Sequence, residues 1–444
     1  MSIHPIESRY GRREIWKIFD EETKLQRMLE VEASLAKAHA RVGNIPRKAA
    51  DEIKRNANTQ RVKMERVKEI EKEIHHDVMA VVKALSEKCG GSGKYVHLGA
   101  TSNDITDTAL ALQLRDFMGF LSEDMEKLKK SLLDKAKQHR ETICVGRTHG
   151  QHALPTTYGL KFAIYASEVG RHIQRLEECK ERVLVGQMTG AVGTQAGFGK
   201  NGIEIQRLVM RDLGLNSVLV SNQVIQRDRY AEFLLLLALI AETLNKIATE
   251  IRNLQRSEIG EVSEGFGKMQ VGSSTMPHKR NPIYAERICG LSRVIKGNAV
   301  TSLENIPLWH ERDLTNSSCE RIIIPEACVL IDYILNLSID LIDNLVFDSG
   351  AIERNLKLSQ GRIMSESVMM SLVEKGVGRQ EAHELVRECA MESHSKGMPL
   401  RDILMGNPEI RRYLNEDEIR RSLDPRRYVG TAVEQVDRVL SKLR

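Results

Sequence analysis

The feature that most constrains this chain is a run of apolar residues near its middle. Phe233, Leu237, Ile240, Leu244, Ile247, Ile251 and Leu254 follow one another at spacings of 4, 3, 4, 3, 4 and 3. Alternating threes and fours keep all of these side chains on one narrow helical stripe, the pattern of a coiled-coil seam. Leu110, Leu114, Phe117, Leu121, Met125, Leu128 and Leu132 nearly repeat it, as do Leu330, Ile334, Leu337, Leu341 and Leu345. Helices of roughly 30 to 40 residues would extend on the order of 45–60 Å, too far for one small core to cover. They need other long helices beside them, including those of other copies of the chain. Aromatic residues make up 4% of the sequence and alternating runs are few, so the expected fold is all-α.

Glycines and polar clusters fall between these helices. The stretch 90-GGSGKYVHLGATSND-104 precedes the first seam and 347-FDSGAI-352 follows the last. The expected organisation is therefore an N-terminal helical domain over 1–103, a long-helix bundle over 104–347 and a C-terminal helical domain over 348–444.

Net charge is +5, spread through mixed-sign runs such as 61-RVKMERVKEIEKE-73, which suit a solvated helix face and argue against nucleic acid as a partner. Seven scattered cysteines without a C-x-x-C pair suggest free thiols in a reducing compartment. The first residues carry no apolar leader core, and the run 233-FLLLLALIA-241 is about half the length that spans a bilayer. A cytoplasmic location without a membrane partner is expected. No histidine or cysteine cluster implies a metal.

Chemistry concentrates in 265-GFGKMQVGSSTMPHKRNPIYAER-287. Gly265, Gly267 and Gly272 loosen the chain after the central seam, and Asn281 and Pro282 read as N-cap and first turn of the next helix. Between them lie hydroxyls, a lysine and an amide, donors suited to a carboxylate whose charge grows during reaction.

GSSTMPHKRNP closely resembles the signature of the fumarase/aspartase superfamily. Two further segments fit that pattern, 98-LGATSNDITDTA-109 and 146-GRTHGQHALPTTYG-159, each just before a predicted long helix. Four local features, 8-SRY-10, 75-HHDVMA-80, the RTHGQHA string and 310-HERDLTNSSCER-321, resemble the adenylosuccinate lyase family in particular. The resemblance implies a three-domain all-α fold whose central bundle forms a multi-helix core in a homotetramer, with active sites shared between subunits and no cofactor. It implies β-elimination of fumarate from adenylosuccinate to give AMP, and from SAICAR to give AICAR. Argininosuccinate lyase, which shares the signature, is the alternative, and the segments carrying Arg9, Arg312 and Arg321 argue against it.

Roles follow by resemblance. Ser273 matches the general base, helped by Lys279; His149 matches the general acid and Glu286 the carboxylate that orients it. His76 matches a second histidine at the substrate. Arg9 and Tyr10 match phosphate binders, and Arg312, Ser317, Arg321 and Arg287 match contacts to the phosphate and ribose. Thr101, Ser102 and Thr148 match donors to the succinyl carboxylates, Gln223 and Asn281 polar contacts to the same moiety, and Asp77, Ser274 and Met276 complete the expected lining.

Overall fold

The computed structural model describes residues 4–267 and 275–443. Helix dominates. Among the described residues six helices exceed twenty residues, and five of them carry the seams or lie between them: Ser102–Gln138, Tyr158–Val183, Asp228–Leu254, Ile283–Leu303 and Thr315–Asp343. All seven residues of the central seam are at most 5% exposed, and in the first seam only Leu110 is more than marginally exposed. The stripe read from the sequence is the buried stripe. The Thr315–Asp343 helix is long and apolar enough to cross a membrane by length and composition alone, but 61% of its most apolar window is buried in the protein, as in a core helix.

The chain divides into two compact units. The first comprises 1–126, 171–244 and 289–336, and the second 127–170, 245–288 and 337–444, so the cuts fall inside the long helices.

In the first unit, the Glu21–Arg41 helix starts where the Asp20 carboxylate accepts the Thr23 N–H at 2.6 Å. Its inner face, with Leu25, Leu29 and Leu35, joins a core with the Asp77–Lys88 helix and the first part of the 102–138 helix. The 102–138 helix begins with Ser102 itself. Thr101 precedes its first residue, and the Asp104 side chain accepts the Thr101 N–H at 2.9 Å, half of a capping box.

In the second unit, short helices between Ser365 and Ser422 close over their own core of Val368, Leu372, Leu400, Ile410 and Ile419. The segment 143–157, where no strand is expected, forms an antiparallel hairpin of Ile143–Thr148 with Gln151–Thr157. Thr148 pairs with Gln151, leaving His149 and Gly150 as a two-residue turn with φ of 53° and 75°. Both angles are left-handed, as a type I′ turn demands, so glycine suits its position and histidine sits where few non-glycine residues do. The register shifts between Val145 and Arg147; a Cβ on Gly146 would come within 2.8 Å of the Leu154 carbonyl oxygen.

Candidate active site

A cleft of about 670 Å³ opens in the first unit, and six of the expected site residues line it: His76, Asp77, Ser102, Arg312, Ser317 and Arg321. Three helix starts bring them together. His76 caps the 77–88 helix, its Nδ1 accepting the Met79 N–H at 3.3 Å. That bond requires an unprotonated Nδ1, so any transferable proton on a neutral ring resides on Nε2. Ser102 opens the 102–138 helix. Ser317 and Arg321 lie four apart in the first turns of the 315–343 helix, which the Asp313 carboxylate starts by accepting the Thr315 N–H at 2.8 Å.

Charge in the cleft is balanced through specific pairs. Arg321 donates to Asp77 at 2.5 Å, and Arg312 donates to the Gln223 side chain at 2.8 Å, joining a seventh expected residue to the group. Burial pushes the Asp77 carboxyl up, but the Arg321 and Val78 donors outweigh it and leave Asp77 below the ordinary carboxylate range. Burial pulls the Arg312 guanidinium below its ordinary value. Arg9 and Tyr10 also lie in this unit: Arg9 donates to the Tyr10 hydroxyl at 3.2 Å, and the Tyr10 and Tyr333 rings pack with centroids 5.5 Å apart. Thr101 sits on the loop before Ser102, held by Asp104. That buried carboxylate also accepts the Thr189 N–H at 2.8 Å and the Gly190 N–H at 3.0 Å. Burial pushes Asp104 up to about 6 in spite of its three amide donors.

The remaining residues belong to the second unit. Thr148 and His149 stand exposed at the tip of the hairpin, which is held by Arg147, beside the tip, and Tyr158, just past its base, donating to the buried Glu261 carboxylate. Met276 and Lys279 are exposed and Asn281 half-buried. Glu286 is exposed in the first turns of the 283–303 helix, and the Arg287 guanidinium lies 5.9 Å from the centre of the Tyr284 ring. The start of that helix differs from the sequence reading. Pro282, not Asn281, accepts the first helical bond, from the Glu286 N–H at 2.9 Å. A proline offers no side-chain cap, and the Glu264 carboxylate supplies it from a distance, accepting the Ala285 N–H at 2.7 Å and the Tyr284 N–H at 3.2 Å. Ser273 and Ser274 lie outside the described residues. His149 and Glu286 are not hydrogen-bonded to each other among the described residues of the single chain.

The family model described as Lyase matches residues 9–297, and the one described as Adenylosuccinate lyase C-terminus matches residues 361–439. The chain is 56% identical to the adenylosuccinate lyase of Pyrococcus abyssi, covering 99% of this chain and 98% of that protein. It is 53% identical to that of Methanocaldococcus jannaschii (100% and 96% covered) and 41% to that of Aquifex aeolicus (94% and 95%). The chain belongs to the adenylosuccinate lyase family. Among solved structures, a fumarate lyase from Mesorhizobium sp. BNC1 superposes with a TM-score of 0.91 at 33% identity, each chain fully covered. The 3-carboxy-cis,cis-muconate lactonizing enzyme of Pseudomonas putida gives 0.90 at 33% identity, with 99% and 98% covered.

Beneath the residues expected of an adenylosuccinate lyase lies a buried charge network that the sequence reading missed. Arg227 is 4% exposed and grips both oxygens of Asp107 at 2.9 Å, with its Nε 3.2 Å from Glu320. Asn316 donates to Glu320 at 3.0 Å. Burial pushes Glu320 up to about 7 against the pull of Arg227. One signal was available: Asn316 and Glu320 share the four-residue spacing of Ser317 and Arg321, and Glu320 follows Ser317 by three, so the two pairs adjoin on the helix surface. Lys24, also in the cleft, carried no such signal.

Proposed function

We propose that the chain is a C–N lyase that eliminates fumarate from adenylosuccinate and releases AMP. The observation that carries this reading is the cleft, which gathers two arginines, two serines, a histidine and an aspartate of the family's pattern in a chain 56% identical to an adenylosuccinate lyase. Elimination needs a base for a poorly acidic proton beside a carboxylate, an acid for the departing purine nitrogen and a cradle for anions. Ser273 is the base, its alkoxide stabilised by amide donors and Lys279. His149 is the acid, oriented by Glu286. Arg312, Ser317 and Arg321 hold the phosphate end with Arg9, Tyr10 and Arg287, and Thr101, Ser102, Thr148, Gln223, Ser274, Met276 and Asn281 hold the succinyl end. His76 and Asp77 line the substrate between them. SAICAR, which carries the same succinyl group and phosphate, is the second substrate, placing the enzyme in purine nucleotide synthesis.

The working form is a homotetramer with sites built from several subunits, and the three-domain division at about 103 and 348 describes each copy. Apolar side chains left on the long helices support this: Leu239 is 52% exposed, Val300 62% and Ile322 64%, a pattern that marks an interface. The exposed positions of His149 and Glu286 also suit completion by another copy. Free thiols at all seven cysteines fit a cytoplasmic location.

Offering the purified protein adenylosuccinate, argininosuccinate and 3-carboxy-cis,cis-muconate separately tests the choice within the superfamily. Only adenylosuccinate should be consumed; conversion of either of the others in its place would overturn the reading.

A further inference from the structure

Lys24 stands in the wall of the cleft, on the 21–41 helix, and lines both the main cavity and a smaller one that opens beside it. It is half-buried, and its ammonium makes no hydrogen bond or ion pair with any described residue. The charges that face it come from its own helix and from three others. Arg321, from the 315–343 helix, repels it; Asp77, Glu71 and Glu21 attract it from a distance. Two of the three attracting carboxylates are already taken. Asp77 is engaged by Arg321 at 2.5 Å, and Glu21 is engaged by Lys68 at 2.5 Å. A lysine held partly out of water beside a guanidinium, with no acceptor of its own, is poised for an anion that has yet to arrive.

The cleft cation whose charge bears on it is Arg321, which by resemblance contacts the nucleotide phosphate. From this juxtaposition we infer that Lys24 is a substrate-binding residue specific for the phosphate group, acting with Arg321 and Arg312 on a nucleoside monophosphate. A dianion seated between Lys24 and Arg321 would relieve their repulsion and give the ammonium its missing acceptors, so the gain is tied to the phosphate and absent for the bare nucleoside. Burial, then Arg321, also hold Lys24 below the ordinary lysine value. Phosphate binding therefore weakens on the alkaline side as Lys24 loses its proton, and an arginine at this position would carry no such loss. This inference rests on the reading of the substrate as adenylosuccinate.

The test compares wild type, Lys24→Gln and Lys24→Arg on adenylosuccinate and on its phosphate-free nucleoside, with binding of AMP and adenosine measured by calorimetry. Wild-type fumarate release from adenylosuccinate tests the substrate reading by itself. For Lys24, the ratio of kcat/KM for nucleotide over nucleoside should fall about tenfold or more in Lys24→Gln, mostly through KM, and AMP affinity should fall in step while adenosine affinity holds. Lys24→Arg should recover most of the ratio and flatten the alkaline rise in KM. An unchanged ratio in Lys24→Gln, or equal losses on both substrates, would overturn the assignment. The AMP and adenosine arm reads Lys24 even if turnover fails.

Discussion

Single residues in the cleft do two kinds of work. His76, Asp77, Arg312, Ser317 and Arg321 face the space a substrate would fill, whereas Asp107, Arg227 and Glu320 hold the floor beneath them. Removing one partner of a buried charge pair strands the other, so Asp107→Ala should destabilise the fold by about 3–5 kcal/mol, read by chemical denaturation. Glu320 adds a pH dependence. Its folded value is raised from the ordinary 4.5 to about 7, so the folded state holds the proton more tightly than the unfolded chain. That stabilisation is full below about 4.5 and is lost as pH climbs to about 7. The thermal midpoint of wild type should fall relative to that of Glu320→Gln across this window, and parallel curves would refute the assignment. Ser273→Ala should lower turnover by about 10²–10⁴-fold while substrate binding, measured by calorimetry, persists.

At the level of elements, what was legible in the sequence was what repeats. The seam from Phe233 to Leu254 could be read because burial on a long helix forces a period, and the same seven residues are buried in the structure. The 143–157 hairpin was not legible. Its strands are short, its turn is His149–Gly150 in place of the usual Asn–Gly, and the bulge at Gly146 breaks the alternation that would have announced a strand. The Arg227–Asp107 pair was hidden for another reason: 120 residues separate the partners, and no local pattern reports a contact of that range. The signature segment marked the start of the 283–303 helix to within one residue but not the group that secures it, since that helix takes its cap from Glu264. Glu264→Ala should therefore cost about 1–2 kcal/mol in thermal or denaturant stability, with Glu264→Gln intermediate because it keeps one acceptor oxygen.

For the whole molecule, the long helices carry apolar side chains exposed on the single chain. Leu235 and Leu239 lie four apart on the 228–254 helix and are 39% and 52% exposed. If this surface packs against other copies, light scattering should give four times the 50.2 kDa chain mass, and Leu239→Asp should shift the protein to smaller species with loss of activity. A fully active monomer would rule out shared sites. The reaction itself is the decisive readout. Mixing the purified protein with adenylosuccinate and following both products should show fumarate and AMP released in equal amounts; failure to release them, with argininosuccinate consumed under the same conditions, would contradict the assignment.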